Sequence, residues 1–448
     1  MDDKINNVVM VEGDRQALSD PLYDAIEPVQ MTPEELFDLN SQARSHLLNV
    51  INEGSIFASE DPRFHHKFGR DTFINAYFIA ETVRYFPDPE IWHRTKRAVL
   101  NFWEYQLSNG QAPHEIKPFN KKDARKRFYY RNGDNLVNDD SVDATSLALI
   151  VTPMFIETEE ELEQFIPKAN RALDWIIQNM ETYNGWLSYK YNHKNGGLTN
   201  QGWMDSKDSI KWRSNRFPPD PISLVEVQAY AWKALRVWSD IFVQRDPQRS
   251  KDLREKADDL KRRFNEKFIF EDERGLYLAH GLDGAGSQIR SISINPGLCL
   301  WGNYKGESII KSEFIPFIVR RIMSGEFFDE TAGIRTFGKD QRTFDKEAYH
   351  SGKDVFWPVT SYMIADGLIK LGFVQEGEKV RRAPRTAIKL FGSFIEQFRR
   401  ENGSYVLFNN GREESCRNQT WTMAGFFWES SMELARSKER VLVANGSS

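Results

Sequence analysis

The chain has 448 residues, of which 40% are hydrophobic, 28% charged and 13% aromatic, with a formal net charge of −5. That length can bury a large core without disulfides or a structural metal, and its two cysteines, Cys299 and Cys416, exclude a disulfide framework. The mildly acidic balance argues against a protein that tracks nucleic acid, and no run approaches the roughly 18 apolar residues of a membrane helix.

Residues 1–30 begin with the polar stretch Met1-Asp2-Asp3-Lys4 and lack the basic start and apolar run of a signal peptide. They are expected to form an outer arm, in a cytoplasmic protein. From residue 31 onward helical periodicity dominates. Phe73, Tyr77, Ala80 and Val83 recur at steps of four, three and three, which predicts one face of a helix. Leu224, Val227, Ala231, Leu235 and Trp238 repeat the pattern. The spacing predicts helices at roughly 32–53, 72–86, 90–107, 141–153, 158–181, 222–243, 248–268, 292–301, 305–324, 354–371, 374–397 and 420–437. Strand-like alternation is confined to pieces such as Tyr189-Lys190-Tyr191 and Tyr405-Val406-Leu407-Phe408. The stretches 108–140, 183–221, 270–291, 325–353 and 400–419 are too long for idle connections. They are rich in Trp, Tyr, His, Asn and acids; one of them holds the basic cluster from Lys121 to Arg131, read as an exposed loop. Paired helices joined by such loops predict a single all-α domain over 31–448, with its site at one end.

The chain has no Gly-x-Ser-x-Gly, phosphate loop, dinucleotide fingerprint or His-Glu-x-x-His, so neither metal nor cofactor is expected. Carboxylates in aromatic loops remain. In Phe68-Gly69-Arg70-Asp71-Thr72, Gly69 permits a tight turn. Asp71 either caps a helix or, with Arg70, grips hydroxyls. In Gln201-Gly202-Trp203-Met204-Asp205-Ser206, Asp205 belongs either to an Asp-Ser turn or to a site where burial against Trp203 retains a proton for general acid catalysis. Glu396 is placed at the end of a helix, with Glu413, Glu414 and Glu429 as rivals for any C-terminal carboxylate role.

Taken in order, these blocks resemble one family. Gly69-Arg70-Asp71-Thr72-Phe73-Ile74 is similar to the start of the glucosidase domain of glycogen debranching enzymes, and Val142-Asp143-Ala144-Thr145 to its second block. Gln201 to Ser206, with Pro221 to Tyr230, resembles the central block, where a lysine more usually precedes the aspartate. Asn295-Pro296-Gly297, Gly333-Ile334-Arg335-Thr336, Tyr349-His350-Ser351-Gly352 with Trp357-Pro358, and Cys416 to Trp421 complete the order over residues 60–435. The related family 63 glycosidases, which include glucosylglycerate and mannosylglycerate hydrolases, share the Gly-Trp-x-Asp-Ser block. They also carry a Trp-Glu-Gln-Tyr type of block, matched here by Ile395-Glu396-Gln397-Phe398 ahead of Trp421-Thr422.

The resemblance implies an (α/α)6 barrel of the six-hairpin glycosidase type, in agreement with the number of predicted helices. It implies an inverting exo-α-glycosidase with Asp205 as general acid and Glu396 as general base. Asp71 with Arg70 would hold a terminal sugar; Trp203, Tyr349 and Trp357 would wall the pocket. His114, Glu115, Asp143, Gln228, Arg335 and His350 are further substrate-binding candidates. Debranching enzymes carry additional N-terminal domains for which the residues before Gly69 leave no room. A small carbohydrate or glucoside substrate, releasing glucose, is therefore expected at least as much as glycogen. The alternatives are a compatible-solute hydrolase of the family 63 kind, another enzyme class on the same barrel with His114 or His350 as acid–base, and a non-catalytic sugar-binding protein.

Overall fold

A computed structural model describes residues 27–446 apart from 53, 193, 342–344, 346 and 412, with side chains described up to residue 437. The arm expected over 1–30 lies almost wholly outside these residues. The helices are α1 (Pro33–Val50), α2 (Gly69–Val83), α3 (Pro89–Phe102), α4 (Ala144–Val151), α5 (Glu159–Thr182), α6 (Val225–Phe242) and α7 (Pro247–Lys267). They continue as α8 (Asn295–Trp301), α9 (Ile315–Ile322), α10 (Pro358–Lys370), α11 (Val374–Arg382), α12 (Arg385–Phe391) and α13 (Thr420–Gly446). None of them is long and apolar enough to cross a membrane.

Local chemistry divides the helices into two sets. α1 starts on a reciprocal cap, with Thr32 accepting from the Glu35 amide and the Glu35 side chain returning to the Thr32 amide. Asp88, Thr158 and Asp246 cap α3, α5 and α7 in the simpler way. No side chain caps α2, α4, α6, α8 or α10. The capped helices all lie on the outside of the fold, although the outer helices α9 and α11 have no side-chain cap either. α2 packs on α4, α4 on α6, α6 on α8, α8 on α10, α10 on α13, and α13 returns to α2. Outside this circuit α1 lies on α13, α3 on α2, α5 on α4, α7 on α6, α9 on α8 and α11 on α10.

The inner position changes the reading of the apolar pattern. Every residue of α2 from Gly69 to Thr82 is buried, so the steps through Phe73 and Tyr77 do not mark a single apolar face. A helix enclosed by neighbours on all sides is buried all round. The predicted helix 374–397 is also corrected. It breaks at Ala383-Pro384 between α11 and α12, and Gly392 then ends α12 in the left-handed region, at φ 58°. Glu396 consequently sits beyond the helix, in a connection. The helix expected over 305–324 is trimmed to Ile315–Ile322.

The all-α expectation describes the body of the fold but not its connections, which carry small antiparallel sheets. These sheets clip neighbouring connections together. Lys67–Phe68 pairs with Glu115–Pro118, which pairs with Asn135–Asn138 and through it Tyr130–Asn132. Ser223–Leu224 pairs with Gly281–Leu282, and Val355–Phe356 with Phe398–Glu401. Of the two alternating pieces seen in the sequence, Ser404–Leu407 is a strand, whereas Tyr189 makes only an isolated bridge to Ile222.

Candidate active site

About 300 Å³ of empty space, part of it open to solvent, lies within the inner circuit. Arg70 and Ile74, Asp143 and Leu147, Tyr230, Leu298, Val359, Thr360 and Met363, and Trp421 line it, with Trp203 from the α5–α6 connection. Each inner helix contributes from its first two turns, so all six enter at the same end. Their amino ends converge there without side-chain caps on five of them, a setting that favours negative charge.

Arg70 organises this end. Its Nε donates to Asp143 Oδ2 at 2.7 Å, one Nη to the Gly202 carbonyl at 2.6 Å, and the other Nη lies 3.3 Å from Asp205 Oδ2. Although burial disfavours its charge, Asp143 and Asp205 hold the guanidinium above its ordinary value. Asp71 does not cap α2, which starts at Gly69 behind Phe68 with no side-chain cap. Gly69 is not a turn residue either. A Cβ there would lie 2.4 Å from the Pro113 carbonyl and 2.9 Å from Ala144 Cβ, so glycine allows α2 to pack tightly.

Three carboxyl groups, Asp71, Asp205 and Glu396, lie near enough to act on one another's charge, although none of them is among the residues that line the cavity itself. Burial, reinforced by Glu396 and Asp205 and opposed by Arg70, pushes Asp71 up to about 7. Burial also raises Glu396 to about 7, with Asp205 adding repulsion. The rise occurs although Glu396 accepts the Cys416 amide at 3.0 Å and a hydrogen bond from Tyr349. The Asp205 side chain is 31% exposed, against 5% for Arg70.

An aromatic wall stands beside these groups. The His350 ring lies flat on Trp357, with centroids 4.9 Å apart, and Trp203 meets Trp357 edge-on at 5.8 Å. Tyr349 and Trp421 pack on Trp357 at 5.3 and 5.5 Å. His350 Nδ1 is 2.7 Å from the Ser206 hydroxyl, and burial lowers the imidazole to about 4, so the ring is neutral. The indole N–H groups of Trp203 and Trp421, on the cavity lining, have no hydrogen-bond partner among the described residues.

Other sequence candidates are committed elsewhere. The Gln228 amide bonds to the backbone of Leu187 and Leu224, so it holds a loop. Arg335 pairs with Asp354 at 2.7 Å and Asp329 at 3.4 Å, away from the cavity lining. Glu115 is bound by His66 at 2.8 Å and by Tyr129; despite burial, these bonds keep it below the usual carboxylate range. His114 is buried, and burial and Arg70 lower its affinity for a proton. Glu429 is fully buried between Arg381 and Arg385, at 2.8 Å from each. Glu414 is exposed against Arg63, and Glu413 lies in a surface turn beside Asn410. Among the described residues no cluster of three or more His, Cys, Asp or Glu could hold a metal ion.

Sequence reasoning passed over Tyr230 and Trp421 as site residues, though both stood inside the quoted blocks. It also passed over Glu226, which faces Asn295 and which burial raises to about 8. The available signal was position: Glu226 and Tyr230 lie in the first half of the predicted helix 222–243, and Trp421 lies at the start of the predicted helix 420–437.

No family model and no curated protein matches the chain. Solved structures do share its fold. A Streptococcus pneumoniae protein from a family of metal-independent α-mannosidases, in complex with α-1,6-mannobiose, aligns with TM-score 0.60 and 14% identity, over 90% of this chain and 94% of that one. A structure described as a wild-type glycosidase aligns with TM-score 0.55 and 11% identity, over 90% and 100%. A bacterial glucoamylase bound to acarbose aligns with TM-score 0.51 and 13% identity, over 89% of this chain and 56% of that one.

Proposed function

We propose that the protein is a glycoside hydrolase on an (α/α)6 barrel of the six-hairpin type, acting with inversion on a small α-glucoside or on the terminal residue of an α-linked glycan. The observation that carries this reading is the group of carboxyls in which the buried Asp71 is acted on by Arg70, Glu396 and Asp205, beside an aromatic wall. Asp205, the most exposed of the three carboxyls, gives its proton to the departing oxygen. Glu396 takes a proton from the water that attacks the anomeric carbon from the opposite face, as inversion requires of two carboxyls about 6.5–9.5 Å apart. Asp71, Arg70 and the free indole N–H groups hold the sugar hydroxyls. The likeness to both a glucoamylase and an α-mannosidase supports testing α-glucosides and α-mannosides together, with glucose the expected product. The compatible-solute glucosides of the family 63 resemblance belong in the same panel.

The test follows the first-formed anomer by NMR. From an α-glycoside the β-anomer is expected; α-product would sink the mechanism. Asp205→Asn and Glu396→Gln are each expected to lower kcat/KM by about 10²–10⁴-fold while melting normally. Asp205→Asn should retain turnover of a glycosyl fluoride, whose leaving group needs no proton. A second reading, with the two roles exchanged, draws on the raised proton affinity of Glu396. The pH profile, recorded in an Asp71→Asn background because Asp71 also titrates at about 7, separates them. As a base, Glu396 produces activity that rises with pH through about 7; as an acid, activity that falls there.

A further inference from the structure

The connection between α3 and α4 projects a flap, residues 118–134, carrying six basic and two acidic side chains on a chain whose net charge is −5. Many basic side chains of the outer helices are paired with acids, among them Arg262 and Arg263 with Asp259, Arg249 with Asp174 and Lys256 with Glu181. In the flap, Asp123 is taken by Lys117 and Lys126, at 2.9 and 2.6 Å, and Arg131 lies over Phe119. Lys121, Lys122, Arg125 and Arg127 are exposed and meet no acidic partner among the described residues. Phe119 and Tyr130 are 38% and 39% exposed on the same flap.

The root of the flap is fixed at the mouth of the cavity. Glu115 pairs with Phe68, and the His114 carbonyl accepts the Gly69 amide at 2.8 Å, one residue before Arg70. The strand from the root ends at Pro118, and the first free cation, Lys121, follows three residues later in a turn. Four unneutralised cations beside a sugar-type site attract negative charge. The four cations are separate side chains outside the cavity lining, so they suit a ligand that carries more than one negative group. Exposed aromatic rings among them suit the flat faces of sugar rings.

We propose that this flap is a docking surface for an anionic glycan, with phosphate or carboxylate groups on the flap while one end enters the cavity. The inference rests on the hydrolase reading for the identity of the ligand as a glycan. The test uses the full chain, with polygalacturonate as the carboxylate arm, a phosphomannan as the phosphate arm and dextran as the neutral control. One or both anionic arms are expected to bind at least about ten-fold more tightly than dextran at low salt. That advantage should vanish at 0.5 M NaCl, where screening reaches only a few ångströms. Changing Lys121, Lys122, Arg125 and Arg127 together to Gln should weaken anionic binding about ten-fold; the Arg125→Gln, Arg127→Gln pair should fall between. Melting and turnover of a neutral aryl α-glycoside should not change. Equal binding of all three glycans, undiminished binding by the four-site variant, or tighter binding to duplex DNA or anionic vesicles would overturn the proposal. Failure to turn over any neutral glycoside counts against the hydrolase reading alone, since the binding arms read the flap directly.

Discussion

Asp71 shows at the scale of one residue what a buried carboxyl costs the fold. Burial holds its proton up to about 7, against 3.8 for an exposed carboxyl. The folded chain therefore binds that proton more tightly than the unfolded one. The group supports the fold fully below pH about 4, and that support is lost as pH rises through about 7. Each unit corresponds to about 1.4 kcal/mol. Asp71→Asn should consequently stabilise the protein by about 2–4 kcal/mol at pH 8 and by almost nothing at pH 4, while impairing activity. Urea unfolding at the two pH values checks this; an equal gain at both would defeat the argument. The identity of Asp71 as a candidate was legible in the sequence, because an arginine–aspartate pair before an apolar run is unusual chemistry. Its release from helix capping was not legible, since the start of α2 depends on how closely Gly69 approaches Pro113 and Ala144. Glu396 shows the same limit: its surroundings depend on a chain reversal at Gly392 and a partner, Cys416, twenty residues away.

At the scale of elements, the choice among C-terminal carboxylates becomes a question of which helix faces what. Glu429 lies on α13 where that helix meets α11 and α12, and Arg381 and Arg385 enclose it. Removing one partner of a buried ion pair costs about 3–5 kcal/mol, because the charge left behind is unpaired. Glu429→Ala should lower the melting temperature substantially, yet leave turnover per folded molecule unchanged. Glu396→Gln should do the reverse. Differential scanning calorimetry with active-site titration compares them; loss of turnover in the folded Glu429 variant would return that residue to the site. The helices were readable because apolar spacing survives even where a helix is enclosed. The clipping sheets were not readable, since strands such as Ser223–Leu224 and Val355–Phe356 are two residues long. Their pairing is set by distant partners, and such short runs carry no periodicity.

The whole molecule depends on closure of the inner circuit. α13 packs against α1, α2 and α10, and buries Trp421, Met423, Phe426, Phe427, Trp428 and Met432. At about 1.5–3 kcal/mol per buried side chain, these six contribute on the order of 10 kcal/mol, comparable with the entire stability of an ordinary domain. A chain ending before Thr420 should therefore show no cooperative thermal transition, by calorimetry or by near-ultraviolet circular dichroism. A sharp transition in that chain would mean that the remaining helices hold together without the closing one. This circularity was invisible residue by residue, although the number of helices hinted at pairs.

The same circuit decides how the molecule can be attached to other things. The start of α13 lies at the cavity end, where the Thr420 amide bonds to Ala58 just beyond α1. The beginning of α1 and the far end of α13 therefore both point to the opposite pole. A fusion partner, a surface anchor or an immobilising tag joined at either of those points would stand behind the molecule, with the opening and its basic flap turned outward. Handles for display or capture belong at that rear pole, where they leave access to the mouth unobstructed.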